Sequence, residues 1–157
     1  MATALLIIGA LLLSGALAAA FRNLTAAAAL AYAGVWSMRT SGYAPVSGSL
    51  LIFWAIAVVL VTSITLTRGS DFLMPARARY FMVGGALAGM AAGLLYYQAG
   101  IILGSAAGAV LGAIAYAGLT RQRDFRAIAR YIVAAGLPAV VTMSLLGIAI
   151  SALLIHR

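Results

Sequence analysis

The sequence predicts an all-α fold, a polytopic membrane bundle of about six transmembrane helices, on three observations. Hydrophobic residues make up 66% of the chain, and its mean hydropathy is +1.15. A soluble domain is about 45–50% apolar, so a single water-soluble core cannot hide this much apolar surface. Apolar runs near the length of a membrane span recur along the chain, and most of the charged residues fall in the gaps between them. The 157 residues suit a single transmembrane domain, 1–157.

A spanning helix needs about 20 apolar residues, because the hydrocarbon core is about 30 Å thick and each residue rises about 1.5 Å. The first run, Thr3 to Phe21, meets this and stops at Arg22 and Asn23. Met1 to Ala20 has the small-residue end of a signal peptide but no basic start, and so is read as a retained helix. The second run, Leu24 to Met38, is short, covering roughly 22 Å at about 1.5 Å per residue. It either borrows residues from its flanks, thins the bilayer locally, or makes a re-entrant hairpin with the first. A turn-rich loop with Gly42 and Pro45 leads to the third run, Ser49 to Thr67. Phe53 and Trp54 near its start suit the headgroup boundary. The fourth and fifth runs, Phe81 to Gln98 and Ile101 to Leu119, are joined by a very tight turn at Ala99-Gly100. The last, Tyr131 to Ile155, contains Pro138, which removes a backbone donor and predicts a kink near Ala134 to Pro138.

Orientation follows from the arginines. The gaps after the first, third and fifth runs hold Arg22, Arg68, Arg77, Arg79, Arg121, Arg123, Arg126 and Arg130, while the other side holds Arg39 and Arg157. The positive-inside bias places the first set in the cytoplasm and both termini outside. The net charge of +8 is then a topology signal, with no call for nucleic acid as a partner. Arg77, Arg79, Arg126 and Arg130 are the expected contacts to anionic lipid headgroups.

Glycines form two rows. Gly85, Gly89 and Gly93 recur every fourth residue in the fourth run, and Gly100, Gly104, Gly108 and Gly112 do so in the fifth. Residues at i and i+4 share a helical face, and in lipid small residues let helices approach closely. The rows predict either an antiparallel packed hairpin or a contact between copies. A second pattern suggests a repeat. Leu-Thr-Arg-Gly-Ser-Asp-Phe (66–72) resembles Leu-Thr-Arg-Gln-Arg-Asp-Phe (119–125), and each leads to an Ala-Arg-Tyr (78–80 and 129–131), with a two-residue gap in one copy. Segments 49–98 and 100–155 are therefore candidate related hairpins, with Asp71 and Asp124 as matching helix caps.

Chemistry is nearly absent. There is no cysteine and there are only two acids, so thiolate chemistry and Cys-based metal sites are excluded. No Asp, Glu, His, Lys or Arg lies within the apolar cores of the first five runs, which argues against proton coupling and intramembrane hydrolysis. His156, the one histidine, lies at the chain end as an interfacial residue. The remaining hydroxyls, among them Ser37, Ser105, Thr142 and Ser144, are expected to bond mostly to their own helix backbones. No enzyme, metal or cofactor is expected.

The layout resembles the bacterial glycine-zipper membrane proteins catalogued as domain of unknown function 456. The similarity rests on Leu-Leu-Ile-Ile-Gly-Ala-Leu-Leu-Leu (5–13), Asp-Phe-Leu-Met-Pro (71–75), Gly-Gly-Ala-Leu-Ala-Gly (84–89) and the glycine-rich stretch 100–113. Ala-Phe-Arg-Asn (20–23) stands where members tend to carry Pro-Gly between the first two segments. The resemblance implies a multi-pass protein of the bacterial inner membrane and supplies no mechanism. Three functions follow as expectations. The first is a non-catalytic transport-like, channel-like or membrane-organising unit, with a homo-oligomer or larger complex built on glycine faces. The second is a lipid-interacting accessory subunit, and an intramembrane enzyme ranks last.

Overall fold

The computed structural model describes residues 2–42, 46–67, 75–121 and 124–155, and among them every regular element is helical. Helix α1 (Ala2–Ala20) turns back at once into α2 (Leu24–Thr40). The Asn23 side chain ends the turn by accepting from the Thr25 and Ala26 amides at 3.2 and 3.3 Å, a helix N-cap. α2 runs two residues beyond the expected Met38, and its 17 residues cover about 25 Å at about 1.5 Å each. Its alanines 27, 28 and 31 with Gly34, Val35 and Met38 are buried between α1, on which α2 packs antiparallel through Gly34 and Met38, and the other neighbours α3 and α7. At the far end the Ser37 hydroxyl donates to the Leu5 carbonyl at 2.8 Å, which joins the two helices in apolar surroundings.

Helix α3 (Gly48–Thr67) begins where expected but packs on α2 and α7, not on the helix that follows it. Of the two aromatics near its start, Trp54 faces inward. It is buried in the bundle, while its neighbour Phe53 is the exposed ring. In an all-apolar helix, the side that meets a neighbour takes the large ring inward whatever its depth.

Helix α4 (Ala76–Gly93) starts five residues before the expected Phe81, because the helical ladder continues through Arg77 and Arg79 to Pro75. The expected turn at Ala99-Gly100 is also displaced. The chain reverses through a short 3₁₀ turn at Leu94–Tyr96, and α5 (Tyr97–Leu119) already contains both residues. The reversal is closed by Tyr97 at φ 59° and ψ −156°, a region open mainly to glycine. The last helix is continuous from α6 (Phe125–Tyr131) through a π-helical turn (Ile132–Gly136) into α7 (Leu137–Ile155). Asp124 caps α6 by accepting from the Arg126 amide at 3.0 Å. Asp71, Arg68, Arg123, His156 and Arg157 lie outside the described residues.

Among the described residues, four helical stretches are long and apolar enough to cross a membrane: Ala2–Ala20, Gly48–Thr67, Ala76–Leu119, which is folded back on itself, and Phe125–Ile155. They are compatible with a membrane-embedded, multi-pass protein. α7 is the hub. Twelve of its 19 residues are buried, against four of 19 in α1, and it touches α1, α2, α3, α4 and α5. The outer helices turn large apolar side chains outward, among them Leu11, Ile52, Leu60, Leu103 and Leu111, as lipid-facing surfaces do.

Tyr97 supplies a test of the reversal. Its side chain is exposed, so Tyr97→Gly removes little packing and relieves a conformation that costs about 1–3 kcal/mol in a non-glycine residue. The expected result is a gain of roughly 1 kcal/mol in detergent unfolding, with no such gain for Tyr97→Ala, which keeps its Cβ.

Candidate functional site

The α4/α5 hairpin is the most closely packed helix pair in the protein. Its glycines meet in an antiparallel register, Gly85 with Gly108, Gly89 with Gly104 and Gly93 with Gly100. Each contact is reciprocal. A Cβ built on Gly89 would strike the Gly104 carbonyl oxygen, and one built on Gly104 would strike that of Gly89. The Gly89 Cβ would also lie 2.7 Å from the Gly104 carbonyl carbon and 3.2 Å from the Gly108 Cα. These are backbone atoms, which cannot swing aside as a flexible side chain can. The hydrogen that replaces each Cβ therefore points at the facing carbonyl, the arrangement of a Cα–H···O contact. Gly112 meets the Phe81 carbonyl beyond the last pair.

Gly84, beside Gly85, has nothing within 4 Å of an added Cβ. The i, i+4 spacing thus separates the facing glycines from their neighbours. The sequence reading passed over two other close approaches. Gly9 and Gly34 abut across α1 and α2, and Gly147 of α7 lies beneath Ile101 and Met90. Single glycines without a repeat carry no spacing signal that would reveal them.

The hydroxyls mostly follow expectation. Thr65 donates to the Val61 carbonyl and Thr142 to that of Pro138, each at 2.8 Å. Ser105 also donates to its own helix, at the Ile102 carbonyl at 3.0 Å, and in addition it and Ser144 bond one another at 3.1 Å while fully buried between α5 and α7. Only the pairing of helices discloses that bond.

The outward side of the hairpin is an open apolar groove of about 940 Å³. Its lining includes the facing glycines, with Ala88, Ala92 and Ala107 between larger Leu103, Leu111 and Phe81 side chains. It runs along the hairpin from Phe81 and Ala115 at one end to Tyr96 and Ala99 at the other.

The arginines gather at the Phe81 end. The Arg79 Nη1 donates to the Arg22 carbonyl at 2.9 Å, and Phe21 stacks on Tyr80 at 6.0 Å, which ties α4 to the α1–α2 turn. Phe81, Tyr116 and Tyr131 form an aromatic chain with ring centroids 6.0 and 6.3 Å apart, which brings the ends of α5 and α6 to the same place. Arg77 is exposed on α4 one turn before Phe81, which lines the groove end. Arg126 and Arg130 are exposed on α6, and the Arg130 Nε donates to the Arg126 carbonyl at 3.3 Å. Asp124 is the only acid among the described residues, and one of its oxygens is engaged by the α6 amide. Pro138 is buried at the start of α7, directly after the π turn. Comparison with family models, with curated proteins and with solved structures finds no match.

Two measurements probe these contacts. Gly89→Ala and Gly104→Ala are expected to lose about 1–3 kcal/mol by overpacking. Gly84→Ala is expected to gain about 0.5–1 kcal/mol from helix propensity. Unfolding in detergent micelles ranks all three. Ser144→Ala removes the partner of Ser105 and is expected to cost about 0.6 kcal/mol, the average for such bonds between membrane helices, in the same assay.

Proposed function

We propose that this chain is a six-helix, non-catalytic protein of the bacterial inner membrane, with both termini outside, that organises the bilayer by seating anionic phospholipid on its glycine-rich hairpin. One observation carries the reading: a lateral apolar groove along α4 and α5 ends beside a cluster of arginines. An acyl chain is matched by the apolar length of the groove, and a phosphate by the exposed Arg77 guanidinium one turn from Phe81, while Arg79 is held against the α1–α2 turn. Arg126 and Arg130 extend the same positive end. The facing glycines act here as helix-packing residues that hold the two walls of the groove at fixed separation.

Six crossings require α2 to span. Its close antiparallel match to α1 over Leu5 to Ser37 supports a crossing more than a shallow re-entrant loop. A transport-like role is less favoured, because the surroundings of α7 are filled with aliphatic side chains and its Ser144 hydroxyl is bonded to Ser105. The second reading is assembly. The same small-residue groove suits a helix of another copy or of a larger complex, since close approach drives association in lipid.

Thermal stability of the purified protein in micelles doped with phosphatidylglycerol or phosphatidylcholine tests the lipid reading. Selective stabilisation by the anionic lipid is expected, with the difference lost in an Arg77→Gln variant. Equal stabilisation by both lipids would refute it. Orientation is tested separately, using introduced cysteines in a chain that has none. Cysteines at Gly42 and at Arg121 are expected to react with an impermeant maleimide from opposite faces of the membrane, Gly42 from outside.

A further inference from the structure

The last helix changes character part-way along its length. Proline at 138 has no N–H, and its ring crowds the carbonyl four residues earlier, that of Ala134. The chain answers with a π turn in which the Leu137 amide reaches back five residues to the Ile132 carbonyl. A π turn holds one more residue than an α turn and spaces its carbonyls more widely. At this place the regular ladder loses a donor and shifts register.

The two sides of that break are held very differently. From Pro138 to Ala149 every residue but Val140 is buried, and the helix is fixed by Gly147 beneath Ile101 and Met90 and by the bond from Ser144 to Ser105. In α6, only Ala127 is buried. Phe125, Arg126, Ala129 and Arg130 are exposed, and the side chains that tie α6 to the bundle are the small Ala127, the partly buried Ile128 and Tyr131, whose ring meets Tyr116 edge-on. Local opening follows the lowest density of buried contacts, and a break in the helical ladder is where a helix bends at least cost.

We propose that Ile132–Gly136 is a hinge about which α6 swings against a stationary α7, moving Arg126 and Arg130 as one unit relative to the groove mouth. The motion keeps Pro138 and everything after it in place and releases Tyr131 from Tyr116. It needs no lipid in the groove, so it stands apart from the lipid reading.

Spin-label distance measurements on the full chain in nanodiscs test the hinge. One labelled pair is Ala129→Cys with Ile114→Cys, which reports α6 against α5. The reference pair is Leu153→Cys with Ile114→Cys, which reports α7 against α5. All three sites are exposed. The expected distance distribution of the first pair is about twice as broad as that of the second, as for a segment with slow collective motion. Deleting Ala134 removes the extra residue of the π turn and is expected to narrow the first pair to the width of the second. Pro138→Ala restores the missing donor and is expected to narrow it in part. Equal widths in the unaltered protein overturn the proposal. A first pair that stays broad in both variants, with the reference pair unchanged, overturns it as well.

Discussion

The approach of α4 to α5 governs the rest of the architecture. Lipid is as apolar as the helices themselves, so no hydrophobic force drives helix to helix, and association depends on how closely atoms pack. In this hairpin the backbones touch, because at Gly85, Gly89, Gly93, Gly100, Gly104 and Gly108 each missing side chain leaves space that the opposite carbonyl fills. A methyl group at any rung would meet main chain, which has nowhere to go. The α1/α2 hairpin is a looser version. There Gly9 and Gly34 abut, but flexible Leu13 and Met38 side chains provide much of the contact.

Two hairpins leave a space between them, and α7 fills it. The outer helices can be large and apolar outward because lipid accepts such side chains. α7 has neighbours on nearly every side, and its face toward α4 and α5 must admit them, hence Gly147 beneath Ile101 and Met90. Polar groups inside this packing are few and mutually served. Ser105 and Ser144 bond one another, and Thr142 bonds the Pro138 carbonyl. An unserved hydroxyl in such a place costs more than one in water. The indole N–H of Trp54 and the Nε of Arg79 are buried without a partner, and nothing in the structure explains either.

Much of the architecture is legible in the sequence because it rests on local rules. Run length indicates α1, α3 and α7, and the charged gap at Arg22 and Asn23 marks the first reversal. The four-residue spacing also singles out which glycines share a face, since helical geometry alone sets that. Other features escape a sequence reading for identifiable reasons. The reversal lies at Leu94–Tyr97 and not at Ala99-Gly100, because Gly100 is needed as the rung opposite Gly93. Trp54 is buried because α3 happens to turn that side toward α2 and α7. Asn23 marks the end of the first run in the sequence, and only the turn shows its side chain capping α2.

From the sequence alone come an all-helical chain, long apolar helices, the glycine faces and the arginine-bearing segments. These follow from composition and from periodicity within one element. Only the tertiary structure decides that the two glycine rows face each other, that α7 is central, that Ser105 finds Ser144, and that the arginine-bearing ends meet beside an apolar groove. The physical reason is the uniformity of the helices. In a water-soluble protein the polar side of a helix shows which way it faces, but here lipid-facing and core-facing sides are equally apolar, so the facing of each helix is settled by fit against its neighbours.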